Sequence, residues 1–214
     1  MLTLAPLFWA GNAIVGRLVH DLISPFTLNL LRWCLAFVLL LPLAGQVLRK
    51  NSAIWQCWKQ YALLGMLGIG SYNALLYLAL KTSSPINVTL VSSSMPIWML
   101  LIGRLWFGTT IGGRQAAGAV LSVLGVAVVL SRGDAQQLLA LQLVPGDWFM
   151  LLATIVWSLY SWLLARSSAT MPGQEAVRGH WAAFLMAQMV FGIAWSAVLT
   201  GGEVALGGFV LQPN

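Results

Sequence analysis

The sequence predicts an all-α integral membrane protein, a multi-helix bundle of about seven transmembrane helices. Three observations carry this. Of the 214 residues, 59% are hydrophobic and only 7% are charged, whereas soluble domains carry roughly 25% charged residues; lipid is then the main solvent. Mostly apolar runs of about 20 residues, the length a helix needs to span a bilayer, recur along the chain. The alternating ten-residue segments of a membrane β-barrel are absent, which leaves helices to satisfy their own backbone hydrogen bonds in lipid.

The runs fall, in order, at residues 2–19, 27–48, 60–80, 85–107, 115–131, 147–165 and 181–200. The first lacks the positive stretch of a cleavable signal peptide and reads as a retained helix. The second carries Arg32, about six residues in from one end, a depth at which a charge is costly unless it snorkels. The third is marked by Gly65, Gly68 and Gly70, followed by Ser71-Tyr72-Asn73. Ser92-Ser93-Ser94 precede Pro96 in the fourth, where the missing proline N–H frees a carbonyl near Ser92. Gly118, Ser122 and Gly125 line the fifth, and small residues at such spacings bring backbones close. The sixth opens at Pro145-Gly146-Asp147. After the seventh, residues 201–214 read as an outside loop cut short.

Charge placement sets orientation. With the N-terminus in the cytoplasm, inside connections hold Arg49, Lys50, Lys59, Arg104, Arg114, Arg166 and Arg178, and outside ones hold Arg17, Lys81 and Arg132. Seven against three favours this topology. The net charge of +6 does not form the stripe or arginine-rich arm of a nucleic-acid binder. Cys34 and Cys57 read as free thiols without metal spacing. No cofactor and no metal are expected.

The chain also repeats itself. Leu-Phe-Trp-Ala-Gly-Asn from Leu7 is similar to Ile-Val-Trp-Ser-Leu-Tyr from Ile155, and aligning Trp9 with Trp157 gives an offset of 148 residues. Five helices lie within that offset, so the second copy is inverted in the membrane, as in many secondary transporters. Two segments follow: residues 1–133 as a first repeat of five helices, and 145–214 as the start of the second, with two. The same offset carries Asn214 onto Met66, so on this reading the chain stops early in its second repeat, with roughly three helices absent. The competing reading is a complete seven-helix protein.

In the first repeat the relevant residues are Trp9, Asn12 and Arg17, then Ser24-Pro25 and Arg32, then Tyr72, Tyr77 and Ala79, then Pro96. Gly118, Leu121, Gly125 and Ser131-Arg132-Gly133 continue the series. Pro145-Gly146-Asp147 and Trp157-Ser158-Leu159-Tyr160 begin the second. In this ordered spacing the chain resembles the drug/metabolite transporter superfamily, specifically EamA-type exporters. The resemblance implies ten helices, both termini inside, and a central substrate cavity between two halves. The chain departs from the family's pattern at Phe107-Gly108-Thr109-Thr110, where a Glu usually opens the loop.

Polar residues inside lipid are expensive and usually face the bundle interior. Asn73 and Tyr77, four apart, share a helix face. Together with Asn12, Tyr72, Ser93, Ser94, Trp157 and Tyr160 they are the expected substrate-binding residues, lining an amphipathic, aromatic cavity near the midplane. Trp162 is a further aromatic group on that helix. The bland alternatives are serines bonded to their own backbone and aromatics anchored at the interface. Arg32 is read as an outer gate or anion contact, against a snorkelling arginine. No Asp or Glu lies within an apolar core, so transport without carboxylate-based proton coupling is expected. Partners are the bilayer and a small solute, with a missing second half or a homo-oligomer as further candidates.

An enzyme is not expected: His20 and His180 sit at helix ends and no H-E-x-x-H occurs. A seven-helix receptor is disfavoured by the inside N-terminus. A non-transporting fragment or assembly subunit is the other alternative to an exporter of amino-acid-like or drug-like compounds in a bacterial cell membrane.

Overall fold

The computed structural model describes residues 4–130 and 144–211, and the side chains of 7–128 and 144–211. The loop residues Ser131-Arg132-Gly133 named above lie outside the described residues. Helices form at α1 (Leu4–Leu18), α2 (Pro25–Ala44), α3 (Trp58–Leu64), α4 (Tyr72–Thr82), α5 (Pro85–Ser92), α6 (Met95–Phe107), α7 (Gly113–Leu130), α8 (Pro145–Ala165), α9 (Ser167–Thr170), α10 (Glu175–Gly179) and α11 (Trp181–Ala205). No strand forms among the described residues; a single bridge pairs Ile23 with Leu211. Among the described residues, five helical runs are long and apolar enough to cross a membrane: Pro25–Leu48, Ala53–Thr82, Pro85–Phe107, Pro145–Ala165 and Trp181–Ala205. Gly113–Val128 is a shorter apolar helix, and α1 has 15 residues.

Local chemistry explains where the helices depart from the sequence reading. The run 85–107 is two helices joined at Ser93 and Ser94. Pro96, which has no N–H to continue the ladder, stands in the first turn of the second piece. The run 60–80 is longer and less regular. It begins with a 3₁₀ segment at Ala53–Cys57 and carries a π-helical segment at Gly65–Ser71 between α3 and α4. The last helix continues to Ala205, so residues 201–205, expected in a loop, are helical.

Two compact units emerge, and both draw on sequence before and after residue 133. The first comprises Met1–Asp21 and Leu75–Leu159. Here α1 meets α4, and Gly146 in the first turn of α8 lies against Ala79 and Ser83. A Cβ on Gly146 would come within 2.2 Å of the Ala79 carbonyl. Asp147 is buried beside it. Its Oδ2 accepts from the Val144 N–H at 2.9 Å, and Oδ1 accepts from the Ser83 hydroxyl. This carboxylate, at the start of the sixth run, ties the first turn of α8 to the end of α4. α7 is exposed along nearly its whole length, Ala119 being buried.

The second unit comprises Leu22–Ala74 and Tyr160–Asn214. One end holds a cluster that includes Ile54, Tyr61, Leu64, Met171, Met186 and Ala187. In lipid such a cluster gains from packing rather than from leaving water. Polar bonds fasten it: Tyr61 donates to Gln174 Oε1 at 3.1 Å, and Gln174 Nε2 donates to the Ala53 carbonyl at 2.7 Å. Glu203, assigned from sequence to an outside connection, caps the N-terminus of α2 by accepting from the Thr27 N–H at 3.3 Å and the Thr27 hydroxyl at 3.2 Å. A carboxylate at a helix N-terminus complements the unsatisfied N–H groups and the dipole.

The lipid-facing surface follows membrane chemistry. Trp58, Trp106, Trp148 and Trp181 are exposed and stand at helix ends, where aromatic belts form.

Candidate substrate-binding residues

In the first unit, α1 and α4 are joined along one face. Asn12 and Gly16 are four apart and therefore stacked on α1. The Tyr77 hydroxyl donates to Asn12 Oδ1. The Tyr77 ring lies on Gly16, where an added Cβ would meet ring carbons at 2.8 and 2.9 Å. One turn on, Arg17 donates to the Leu80 carbonyl in the last turns of α4. A buried tyrosine, 3% exposed, thus has its ring seated on glycine and its polar tip matched to an amide. In the same unit the Trp9 and Trp157 rings meet edge to face, 6.1 Å between centres and 87° between planes.

Ser93 and Ser94 use their hydroxyls locally, donating to the Leu90 and Val91 carbonyls, both at 2.6 Å. Ser94 Oγ also accepts from Trp98 Nε1 at 3.2 Å. These bonds hold the junction ahead of Pro96. Ser158 of α8 donates to the Thr154 carbonyl at 2.7 Å and reaches the Met95 carbonyl at 3.4 Å.

In the second unit, Tyr160 donates to Gln188 Oε1 at 3.0 Å, and Gln188 Nε2 is held by the Phe184 carbonyl at 3.2 Å. The Tyr160 ring lies on Gly68, where an added Cβ would meet it at 2.6 Å. Tyr72 is half-buried and Asn73 is 8% exposed. Arg32 is half-buried, with its guanidinium carbon 5.2 Å from the centre of the Trp33 ring. It stands seven residues beyond Pro25, about 10 Å along the helix.

Two residues escaped the sequence reading. Gln188 sits in the apolar stretch Phe184-Leu-Met-Ala-Gln-Met, and Asn29 stands between Leu28 and Leu30; a lone amide in an apolar run was the available signal. The helix-three glycines behave as expected: a Cβ on Gly65 would meet the Gln188 carbonyl at 2.3 Å, and one on Gly70 would meet Trp195 at 2.3 Å. The helix-five glycines do not. A Cβ on Gly118 or Gly125 meets nothing within 4 Å among the described residues, because α7 is so little covered.

A family model described as the EamA-like transporter family matches residues 1–131. The chain belongs to this family. It is a multi-pass integral membrane protein of a transporter family, as its long apolar helices also show.

Among curated proteins, an uncharacterized transporter of Bacillus subtilis, YyaM, is 28% identical over 113 residues, covering 53% of this chain and 35% of its own length. An uncharacterized transporter of Archaeoglobus fulgidus is 27% identical over 163 residues, 75% of this chain and 55% of that one. The aromatic amino acid exporter YddG of Ancylobacter novellus is 27% identical over 125 residues, 58% of this chain and 42% of the exporter. This EamA-family chain therefore spans between 35% and 55% of the length of these relatives. No solved structure gives a significant match.

Proposed function

We propose that this EamA-family chain exports small amphiphilic metabolites, amino-acid-like or drug-like, across a bacterial cell membrane, with its N-terminus in the cytoplasm. The observation that carries the reading is the Asn12–Tyr77 pair: an aromatic ring and an amide held together inside a lipid-embedded unit. Such a pair offers an apolar face and hydrogen-bonding groups to one solute. Tyr160 with Gln188, and Tyr72 with Asn73, are the corresponding groups in the second unit. Arg32 serves as a gate or anion contact, and Ser93 and Ser94 shape the backbone at the Pro96 junction while contributing to solute binding. The name of the Ancylobacter relative makes aromatic amino acids the first solutes to test.

Alternating access follows from rocking one repeat, residues 1–133, against its inverted counterpart beginning near residue 145. The Trp9–Trp157 contact supports that assignment. These are the two residues paired by the repeat offset, and positions equivalent under a two-fold axis meet when they lie close to it.

The test is a toxicity-rescue screen. The full-length protein is expressed in cells challenged with toxic analogues of aromatic amino acids and with drug-like amphiphiles. Raised tolerance to at least one class, with lowered intracellular content, is expected. Unchanged tolerance and content across the panel at verified membrane expression contradicts the reading.

A further inference from the structure

We infer that Asn29 is a positioning residue: it holds the π-helical segment Gly65–Ser71 in place and so sets which way Tyr72 and Asn73 face. The inference rests on the proposed solute-binding role of those two residues. A π-helical turn is rare and tends to mark functional positions. Here the Tyr72 N–H reaches back five residues, to the Leu67 carbonyl. One extra residue in a turn rotates everything after it by about 100° relative to a continuous α-helix. Whether this turn stays wide therefore decides the facing of the residues that follow it.

The restraints converge where the wide turn ends. Asn29, fully buried on α2, directs its Nδ2 at the Ile69 carbonyl at 3.1 Å, the Gly70 carbonyl at 3.3 Å and Ser196 Oγ at 3.1 Å. The next residue is tied as well, since Trp195 Nε1 donates to Ser71 Oγ at 3.2 Å. Gly70 admits the Trp195 ring at a distance no side chain would allow. The amide orientation follows from its partners, because turning it over would set Oδ1 against two carbonyl oxygens. Asn29 Oδ1 is meanwhile buried without a protein partner. An amide that leaves its acceptor unmet in a membrane interior while committing its donors to two consecutive peptide carbonyls is there for those carbonyls.

The test reads facing directly. Single cysteines Tyr72→Cys and Asn73→Cys are introduced into the full-length protein carrying Cys34→Ser and Cys57→Ala, and reacted with N-ethylmaleimide in native membranes. A Cys34→Ser parent that keeps Cys57, which is buried, reports intact folding by staying unlabelled, with and without the change at Asn29. Asn29→Leu keeps the number and branching of heavy atoms and removes the donors. It is expected to change the ratio of labelling rates at 72 and 73 by at least about fivefold, the population change that a single lost hydrogen bond produces. Ser196→Ala, which leaves both carbonyl bonds, is expected to leave the ratio alone. An unchanged ratio in Asn29→Leu with Cys57 of the parent still protected overturns the proposal, as does an equal change in Ser196→Ala. Where Asn29→Leu fails to accumulate, Asn29→Asp, of the same shape without the amide donors, gives the same readout and the same two outcomes. Labelling needs no solute, so failure of the proposed transport function and failure of this proposal are told apart.

Discussion

At the scale of single residues, the chain shows how a membrane interior disposes of polar groups. Tyr77 is seated on Gly16 and bonded to Asn12, while Tyr160 is seated on Gly68 and bonded to Gln188. Each tyrosine has a glycine under its ring and an amide at its tip. In the full-length protein, Tyr77→Ala or Asn73→Ala is expected to lower export more than Leu76→Ala, which removes buried apolar atoms alone. Efflux of labelled solute at matched expression checks this, and equal losses would sink the assignment. Gln188→Leu should also reduce transport, by about fivefold through loss of the bond that orients Tyr160, with the apparent KM as the readout. Asn73 and Tyr77 were legible in the sequence because helical spacing puts them on one face, and Asn12 because it is a lone amide in an apolar run. The seat of Tyr77 on Gly16 and the bond of Tyr160 to Gln188 were not, because each joins two helices that only the fold brings near.

At the scale of elements, the glycines separate two kinds of helix. Those of the π-helical segment are close approaches: Gly65 and Gly192 let the segment and α11 cross with backbones nearly touching. Gly65→Ala puts a methyl 2.3 Å from the Gln188 carbonyl, and overpacking of this kind typically costs about 1–3 kcal/mol. A lowered thermal midpoint in detergent is the expected result. Gly118→Ala, with open space around it, should leave that midpoint unchanged or slightly raised, since alanine is the better helix former. A drop as large as that of Gly65→Ala would show that α7 is covered in the membrane. Small-residue spacing looked alike in both helices, because a spacing rule reports the capacity for close packing and not the presence of a neighbour. The break at Ser93–Ser94 was legible through Pro96. The π-helical segment was not, since it depends on bonds from Asn29 and Trp195 that no local pattern reveals.

For the whole molecule, composition and apolar runs were enough to place it in a membrane, because lipid leaves helices almost no alternative. The functional direction came from ordered residues along nearly the whole chain, and the family model matches the first 131 of its positions. Depth was harder to read than span. Glu203 looks like a loop acid in sequence, yet it caps α2, and the burial of Asp147 at the start of α8 is not visible in its spacing. Both stand at helix ends, committed to hydroxyl and N–H donors, and no carboxylate lies midway along a described helix. Flux is accordingly expected to persist when the pH gradient across proteoliposomes is collapsed; strict dependence on that gradient would contradict transport without carboxylate-based proton coupling. On the function proposed above, the Asn12–Tyr77 pair handles an amphiphilic solute. Initial rates of labelled aromatic amino acid exchange in proteoliposomes, for the full-length protein and its Tyr77→Ala variant at equal reconstituted amounts, test it most directly. Saturable flux that falls at least about tenfold in the variant, more than one lost hydrogen bond alone would give, is the predicted result. Equal flux in both proteins would contradict it.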